Sequence, residues 1–314
     1  MIFLANVVLK LPINEIKKIE NHYKKQSITP PQYATFAAKV NGTNVTVYKS
    51  GKVMFQGRDA EKEASMWQGK SEALPTKKAN KKSVNEHSFY PPNHFFETSH
   101  IGSDEAGTGD YFGPITVAAV FIPKEKIALI KELGVRDSKD LKDPMIERIA
   151  KDLVYAEIPY TLMTLKNEKY NQLQRKGWNQ GKMKAMLHYH AIQKLLDKLK
   201  GTTIDGILID QFCQPQVHQK YLRTEKLTLQ PDTYFMTKAE SHSLSVAAAS
   251  IIARAKFVKE MDKLSKESGI TIPKGASNKV DQTAAYLVKK YGKDVLEKYA
   301  KLHFANTEKA NKYL

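Results

Sequence analysis

Short apolar runs joined by hairpin signals occupy the first seventy residues, whereas longer helical runs alternate with strands after residue 99. Residues 1–10 read as a strand and 12–25 as a helix, with Pro12 in its first turn and Ile13, Ile16, Ile19 and Tyr23 on one face. Three strands follow at about 33–40, 43–49 and 52–57, linked by Asn41-Gly42 and Ser50-Gly51, dipeptides that suit tight hairpins. A second helix covers 59–69. Period-two alternation turns Phe36, Ala38, Val40, Val45, Val47, Val53 and Phe55 toward the helices. The other face then carries Tyr33, Thr35, Lys39, Asn44, Thr46, Tyr48, Lys52 and Gln56.

From Ser71 to Asn93 the pattern loses its period and turns polar and basic, which reads as a linker. The expected organisation is a small domain over 1–70, a linker over 71–98 and a large domain over 99–314. The large domain opens with strands at 99–105, 114–123 and about 157–165. A helix at 178–198, strands at 206–211 and 233–238 and a helix at 241–264 follow, with further helices toward the C-terminus. Three early strands followed by alternating helices and strands predict an α/β (α+β) fold, a mixed sheet with helices packed on it.

Composition adds a partner to this picture. The 50 Lys+Arg against 33 Asp+Glu give a formal charge of +17, which attracts polyanions, nucleic acid first among them. The open face of the small sheet, with its aromatic, hydroxyl and ammonium groups, suits sugar-phosphate contacts; it also fits the solvated face of any one-sided antiparallel sheet. The single cysteine, Cys213, excludes an internal disulfide and a cysteine-cluster zinc site, fits a reducing compartment, and reads as a buried small hydrophobe. The N-terminus lacks the basic start of a signal peptide, and no apolar run is long enough to span a bilayer. A cytoplasmic protein without a membrane partner is expected.

The chemistry concentrates in Gly102-Ser103-Asp104-Glu105-Ala106-Gly107-Thr108-Gly109-Asp110-Tyr111-Phe112-Gly113-Pro114. Two adjacent carboxylates end a strand there, and the glycines after them let a substrate backbone come close. Asp210 ends the apolar run Ile207-Leu208-Ile209, while Asp205, five residues earlier, falls on the other face. Glu240 precedes the expected start of a helix rich in small residues, where the helix dipole favours its ionised form. Carboxylates converging from separate segments repel unless a cation neutralises them, and hard oxygen ligands select Mg²⁺ or Mn²⁺. In a basic protein that points to phosphoryl chemistry. His188 and His190 lie two apart on a helix, so they cannot share a face as a zinc pair. His242 and His303 read as structural, and Trp178, Asn179 and Lys182 open a helix that approaches the substrate in one reading.

The stretches Asp-Glu-Ala-Gly-Thr-Gly-Asp-Tyr-Phe-Gly-Pro, Asp137-Ser138-Lys139 and Lys238-Ala239-Glu240-Ser241, the last leading into Val-Ala-Ala-Ala-Ser-Ile-Ile-Ala, resemble bacterial ribonuclease HIII over nearly the whole chain. The resemblance implies a ribonuclease H-like domain over 99–314 and an N-terminal substrate-binding domain like half of the TATA-box-binding protein. It implies that Asp104, Glu105, Asp210 and Glu240 are the catalytic, metal-binding quartet. By the same likeness Gly107, Thr108 and Gly109 contact the ribose 2′-hydroxyl, the group that separates RNA from DNA, and Lys139 contacts a phosphate. Tyr33, Lys39, Thr46, Tyr48 and Lys52 are the candidate substrate contacts of the small domain. Thr108 and Glu240 differ from the sister family, ribonuclease HII, which has Arg or Lys and Asp at those places. The implied activity is endonucleolytic hydrolysis of the RNA strand of RNA/DNA hybrids, leaving 5′-phosphate and 3′-hydroxyl ends, by a monomer with no obligate protein partner. Cleavage at single ribonucleotides in DNA and catalytically silent binding stand as the alternatives.

Overall fold

A computed structural model describes residues 5–31, 34–48, 51–68 and 87–314, and the chain divides into two units, Met1–Asn85 and Glu86–Leu314. The first contains β1 (Ala5–Lys10), α1 (Ile13–His22), β2 (Ser27–Ile28), β3 (Ala34–Val40), β4 (Thr43–Tyr48), β5 (Lys52–Gly57) and α2 (Ala60–Gln68). Its antiparallel sheet has the order β1-β5-β4-β3-β2. Asn41 and Gly42 both take positive φ (46° and 74°), the backbone that a two-residue hairpin requires. Ile16, Ile19 and Tyr23 of the α1 region and Trp67 of α2 pack on Ala38, Val45, Val47, Val53 and Phe55, the face expected from alternation.

The opposite face needs one correction. Lys39, Asn44 and Lys52 are exposed and Tyr48 half-buried, but Thr46 is buried. It stands in the central strand with the apolar residues Ala37 and Met54 as its cross-strand partners, and its burial takes it out of an open polar surface. Tyr33 lies outside the described residues. The two-residue strand β2 and the 3₁₀ turn Lys24–Gln26, where the first helix was expected to continue, are too short to leave a periodic signature.

The second unit contains β6 (His100–Ala106), β7 (Ile115–Ile122), α3 (Ile127–Glu132), α4 (Asp143–Tyr155), β8 (Tyr160–Leu165), α5 (Asn167–Arg175), α6 (Gln180–Lys198), β9 (Ile207–Asp210), α7 (Pro215–Thr224), β10 (Thr233–Met236) and α8 (Leu244–Ser268). Three more helices close it, α9 (Asn278–Tyr291), α10 (Val295–Tyr299) and α11 (Asn306–Lys309). The sheet order is β10-β9-β6-β7-β8, with β6, β9 and β10 parallel, β7 antiparallel to β6, and β8 antiparallel to β7. Strand β7 is buried throughout because helices cover both sides. Val117, Ala119 and Phe121 face the core under α6, and Ala118, Val120 and Ile122 face α4 and α8. Tyr111 and Phe112 pack with Phe257, Leu287 and Tyr299 in a third cluster built largely from the C-terminal helices.

Residues 87–98 are not linker. Phe95 is buried against Leu208 and Met236, and Phe235 N donates to Phe89 O at 2.8 Å, so this stretch belongs to the second unit. The rest of the expected linker, 71–86, lies outside the described residues. Helix α8 begins at Leu244, capped by the Ser243 side chain, which accepts from Val246 N. Glu240 therefore sits in a separate 3₁₀ turn, Ala239–Ser241, and not in the first turn of a dipole-bearing helix. Cys213 is half-buried rather than buried. Among the described residues no helix is long and apolar enough to cross a membrane.

Candidate active site

Parallel pairing sets the level of the first carboxylates. Ser103 of β6 stands opposite Ile209 of β9, so the next residues, Asp104 and Asp210, reach the carboxyl ends of adjacent strands together. Met236 of β10 pairs with Asp210, and the turn after β10 brings in Glu240. The Lys238 backbone is left-handed there (φ 57°), which lets Ala239 N turn back and donate to Asp210 Oδ1 at 2.9 Å. The carboxyl ends of parallel strands are where open α/β sheets bind ligands.

Alternation along β6 gives neighbouring side chains different company. Gly102 and Asp104 face α8, where the Ser250 hydroxyl donates to the Asp104 carboxylate. Ser103 and Glu105 face α6. Glu105 Oε1 accepts from Lys184 Nζ at 2.7 Å and Oε2 lies 2.8 Å from His188 Nε2. The Ser103 hydroxyl donates to Ala118 O, so His188 Nδ1 is the donor in its 2.7 Å contact with Ser103 Oγ. His190 is exposed, so the two histidines indeed do not share a face.

The electrostatics mark a surplus of negative charge. Burial, then the charges of Glu105 and Asp210, raise Asp104 well above the usual carboxylate range, against the opposing hydrogen bonds from Ser250 and Glu105 N. Burial, with the charges of Glu240 and Glu105, pushes Asp210 up to about 6, although Ala239 N and the Lys139 ammonium oppose the shift. Burial also disfavours the charge on Glu105, but the His188 hydrogen bond and charge and the Lys184 ammonium outweigh it and hold that carboxyl low. Lys139, expected on a phosphate, instead donates from Nζ to Glu240 Oε1 at 2.5 Å. The second carboxylate oxygen of Glu240 is buried without a hydrogen-bond partner.

An all-oxygen donor set, two carboxyls that resist ionising in the absence of a cation and one orphaned buried carboxylate oxygen together fit a hard divalent ion. The fit is to an open arrangement. Among the described residues no three acidic, histidine or cysteine side chains are gathered as a finished metal cage. The ammonium groups of Lys139 and Lys184 occupy carboxylate oxygens that a cation would claim.

The glycine turn follows directly. Gly107 takes φ 86°, and a Cβ there would strike the Phe257 ring and Pro114 O, so only glycine fits. It is buried, Thr108 is half-buried and Gly109 exposed. The Thr108 carbonyl accepts from Gln180 Nε2 at 3.0 Å, which leaves the backbone around Gly109 as the accessible part of the turn. Trp178 and Lys182 lie beside it in the chain as a cation–π pair, with Lys182 also bound to Glu225, and Asn179 caps α6 by accepting from Lys182 N.

Comparison with known proteins decides the lineage. The family model described as ribonuclease HII matches residues 101–307, and one described as a domain of unknown function matches residues 6–81. A ribonuclease HIII of Oceanobacillus iheyensis is 56% identical over 312 residues, 99% of this chain and all of that one. The chain belongs to the ribonuclease HIII family. A second family member, from Bacillus licheniformis, is 53% identical and covers 98% of both chains. The solved Bst-RNase HIII in complex with Mn²⁺ is 40% identical, covers 98% of both chains and superposes with a TM-score of 0.67. The chain is thus a ribonuclease H enzyme with a mixed α/β catalytic fold. Membership in ribonuclease HIII also accounts for the small extra unit, since these relatives match along both units.

Sequence reasoning missed Lys184 and His188 as partners of Glu105. Their i, i+4 spacing on α6 was the available signal, because it puts two basic groups on one helical face. Gln180 was missed as well, having no charge or motif to single it out.

Proposed function

We propose that the protein hydrolyses the RNA strand of RNA/DNA hybrids internally, leaving 5′-phosphate and 3′-hydroxyl ends, with Asp104, Glu105, Asp210 and Glu240 holding Mg²⁺ or Mn²⁺. The observation that carries this reading is the charge crowding where β6 and β9 end and the turn after β10 begins: Glu105 and Asp210 raise Asp104, Glu240 and Glu105 raise Asp210, and one Glu240 oxygen stays unpartnered. When bound, such ions activate water and neutralise charge on the phosphorus and the leaving oxygen. The protein's own part is geometric. Lys184 and His188 aim Glu105, Ser250 and Glu105 N aim Asp104, and Ala239 N aims Asp210. Lys139, whose side chain is largely exposed, would be free to contact a substrate phosphate if a bound cation took its place at Glu240.

In this reading the Gly107-Thr108-Gly109 turn meets the ribose 2′-hydroxyl, with the exposed backbone at Gly109 making the approach. The small unit adds sugar-phosphate contacts through Lys39, Lys52, Tyr48 and Tyr33. We place this activity in the cytoplasm, in keeping with a single cysteine, and in a monomer. Cleavage mapping tests the proposal with a labelled RNA/DNA hybrid and a DNA duplex carrying one ribonucleotide, each with Mg²⁺ or Mn²⁺. Cuts at many positions of the hybrid, lost in Asp104→Asn, are the expected result. Cuts in the single-ribonucleotide duplex alone would move the substrate class, and no cleavage of either would leave a silent binder.

A further inference from the structure

A fully buried lysine lies under the glycine turn and takes no part in the carboxylate cluster. Lys301 Nζ donates to Asp110 O at 2.7 Å and to Gly113 O at 2.6 Å, and its side chain is 0% exposed. Among the described residues it has no carboxylate within ion-pair distance, so its one evident task is to tie two backbone carbonyls of the turn together. Burial lowers its pKa to about 7, against the opposing charge of Asp110, and the two N–H groups of a neutral amine match the two carbonyls. The surrounding backbone repeats the tie. Lys301 N donates to Tyr111 O, Gly113 N to Tyr299 O, and Phe112 bridges to Ala300. Gly275 N donates to Asp110 Oδ1 at 2.6 Å.

A second arm reaches the turn from its other side. Gln180 Nε2 donates both to Thr108 O and, at 3.2 Å, to Tyr170 OH, which lies 3.4 Å from His303 Nε2 and whose ring stacks on that histidine. One short C-terminal segment, Tyr299 to His303, therefore holds the turn at residue 113 and residue 110 directly and at residue 108 through Tyr170 and Gln180.

We propose that Lys301 and Gln180 are positioning residues that fix the Gly107–Gly113 turn in the shape that reads the ribose 2′-hydroxyl, and so set the discrimination between RNA/DNA hybrid and DNA duplex. The inference rests on the substrate reading given above. Neither residue is bonded to any of the four carboxylates, so the effect is on ribose recognition and not on metal binding. A turn held at three carbonyls loses little freedom on meeting the 2′-hydroxyl, whereas a slack one must be ordered by the substrate.

The test uses the full-length protein, with Lys301→Met and Gln180→Ala beside the wild type. Fluorescence anisotropy in EDTA gives the affinity for an RNA/DNA hybrid and for a DNA duplex of the same sequence, and steady-state cleavage with Mg²⁺ gives KM and kcat. The expected result is a fall of about 10-fold in the hybrid-to-DNA affinity ratio, the size of one good hydrogen bond, with DNA binding within about twofold of wild type. KM for the hybrid should rise more than kcat falls. Should Lys301→Met fail to fold by circular dichroism, the half-buried Gln180→Ala decides alone. If the wild type prefers the hybrid and the folded variants keep that preference, or lose hybrid and DNA binding equally, the positioning role is overturned. If the wild type shows no preference for the hybrid, the substrate reading falls and this inference with it.

Discussion

Replacing Gly102 with alanine should disable the site without altering any carboxylate. Gly102 lies in β6 on the face that meets α8, two residues before Asp104. A Cβ there would stand 2.7 Å from Ser245 O and closer still to Ser245 C and Val246 N, where ordinary contact needs 3.4–4 Å. All three are backbone atoms in the first turn of α8, so no side-chain rotation relieves the overlap. The helix must retreat by roughly 1 Å, and it carries Ser250, the hydroxyl donor to Asp104, while the turn just ahead of it carries Glu240. A misplacement of about 1 Å costs on the order of 10²-fold in rate. Overpacking of this kind costs about 1–3 kcal/mol, and about 2–4 °C of Tm per kcal/mol applies to a unit of this size, giving a loss of roughly 2–12 °C. The assay pairs Tm by circular dichroism with kcat on a hybrid at saturating Mg²⁺. A folded Gly102→Ala protein with wild-type kcat would refute the claim that the close approach of α8 to β6 sets the site.

Other outcomes follow from the same geometry. In the unfolded chain Lys301 stays protonated up to about pH 10.5, but in the folded one only below about 7. Between those values the unfolded state binds more protons, so wild-type stability gains with rising pH from this group, and Lys301→Met should lack the gain. Urea unfolding at pH 7 and 9.5 checks it, and a stability difference between the two proteins that does not change with pH would contradict it. His188→Leu should lower kcat by about 10- to 100-fold at saturating Mg²⁺ by freeing Glu105, with little change in KM; an unchanged kcat would make the 2.8 Å contact irrelevant to catalysis. Lys39→Ala with Lys52→Ala should weaken hybrid binding and flatten its salt dependence, whereas Thr46→Val, at a buried site, should leave both unchanged. Deleting residues 1–80 should raise KM for the hybrid more than it lowers kcat, and an unchanged KM would remove the small unit from substrate binding.

What the sequence made legible were features with a local signature. Alternation found the buried face of the small sheet, and the apolar run ending in Asp210 located a strand terminus from its own residues. The Asn41-Gly42 hairpin was equally local. Thr46 defeated the same reasoning because alternation gives the side of a sheet, not its exposure, and apolar neighbours across the strands flank that threonine. The boundary near residue 98 was misplaced because Phe89 and Phe95 find their partners more than a hundred residues away. Helices α3, α4, α5 and α7 passed unread, lying between stronger signals. Lys301 was invisible for a different reason: in so basic a chain nothing distinguishes a buried lysine from the exposed ones until the fold encloses it.

The central claim is that these four carboxylates are a divalent-metal site now partly satisfied by lysines. Crystals of the full-length protein soaked in Mn²⁺, with an anomalous difference map, address it most directly. The account predicts a peak among Asp104, Glu105, Asp210 and Glu240, with Lys139 drawn away from Glu240. A peak elsewhere, or none while the Lys139–Glu240 and Lys184–Glu105 pairs persist at high Mn²⁺, would contradict it.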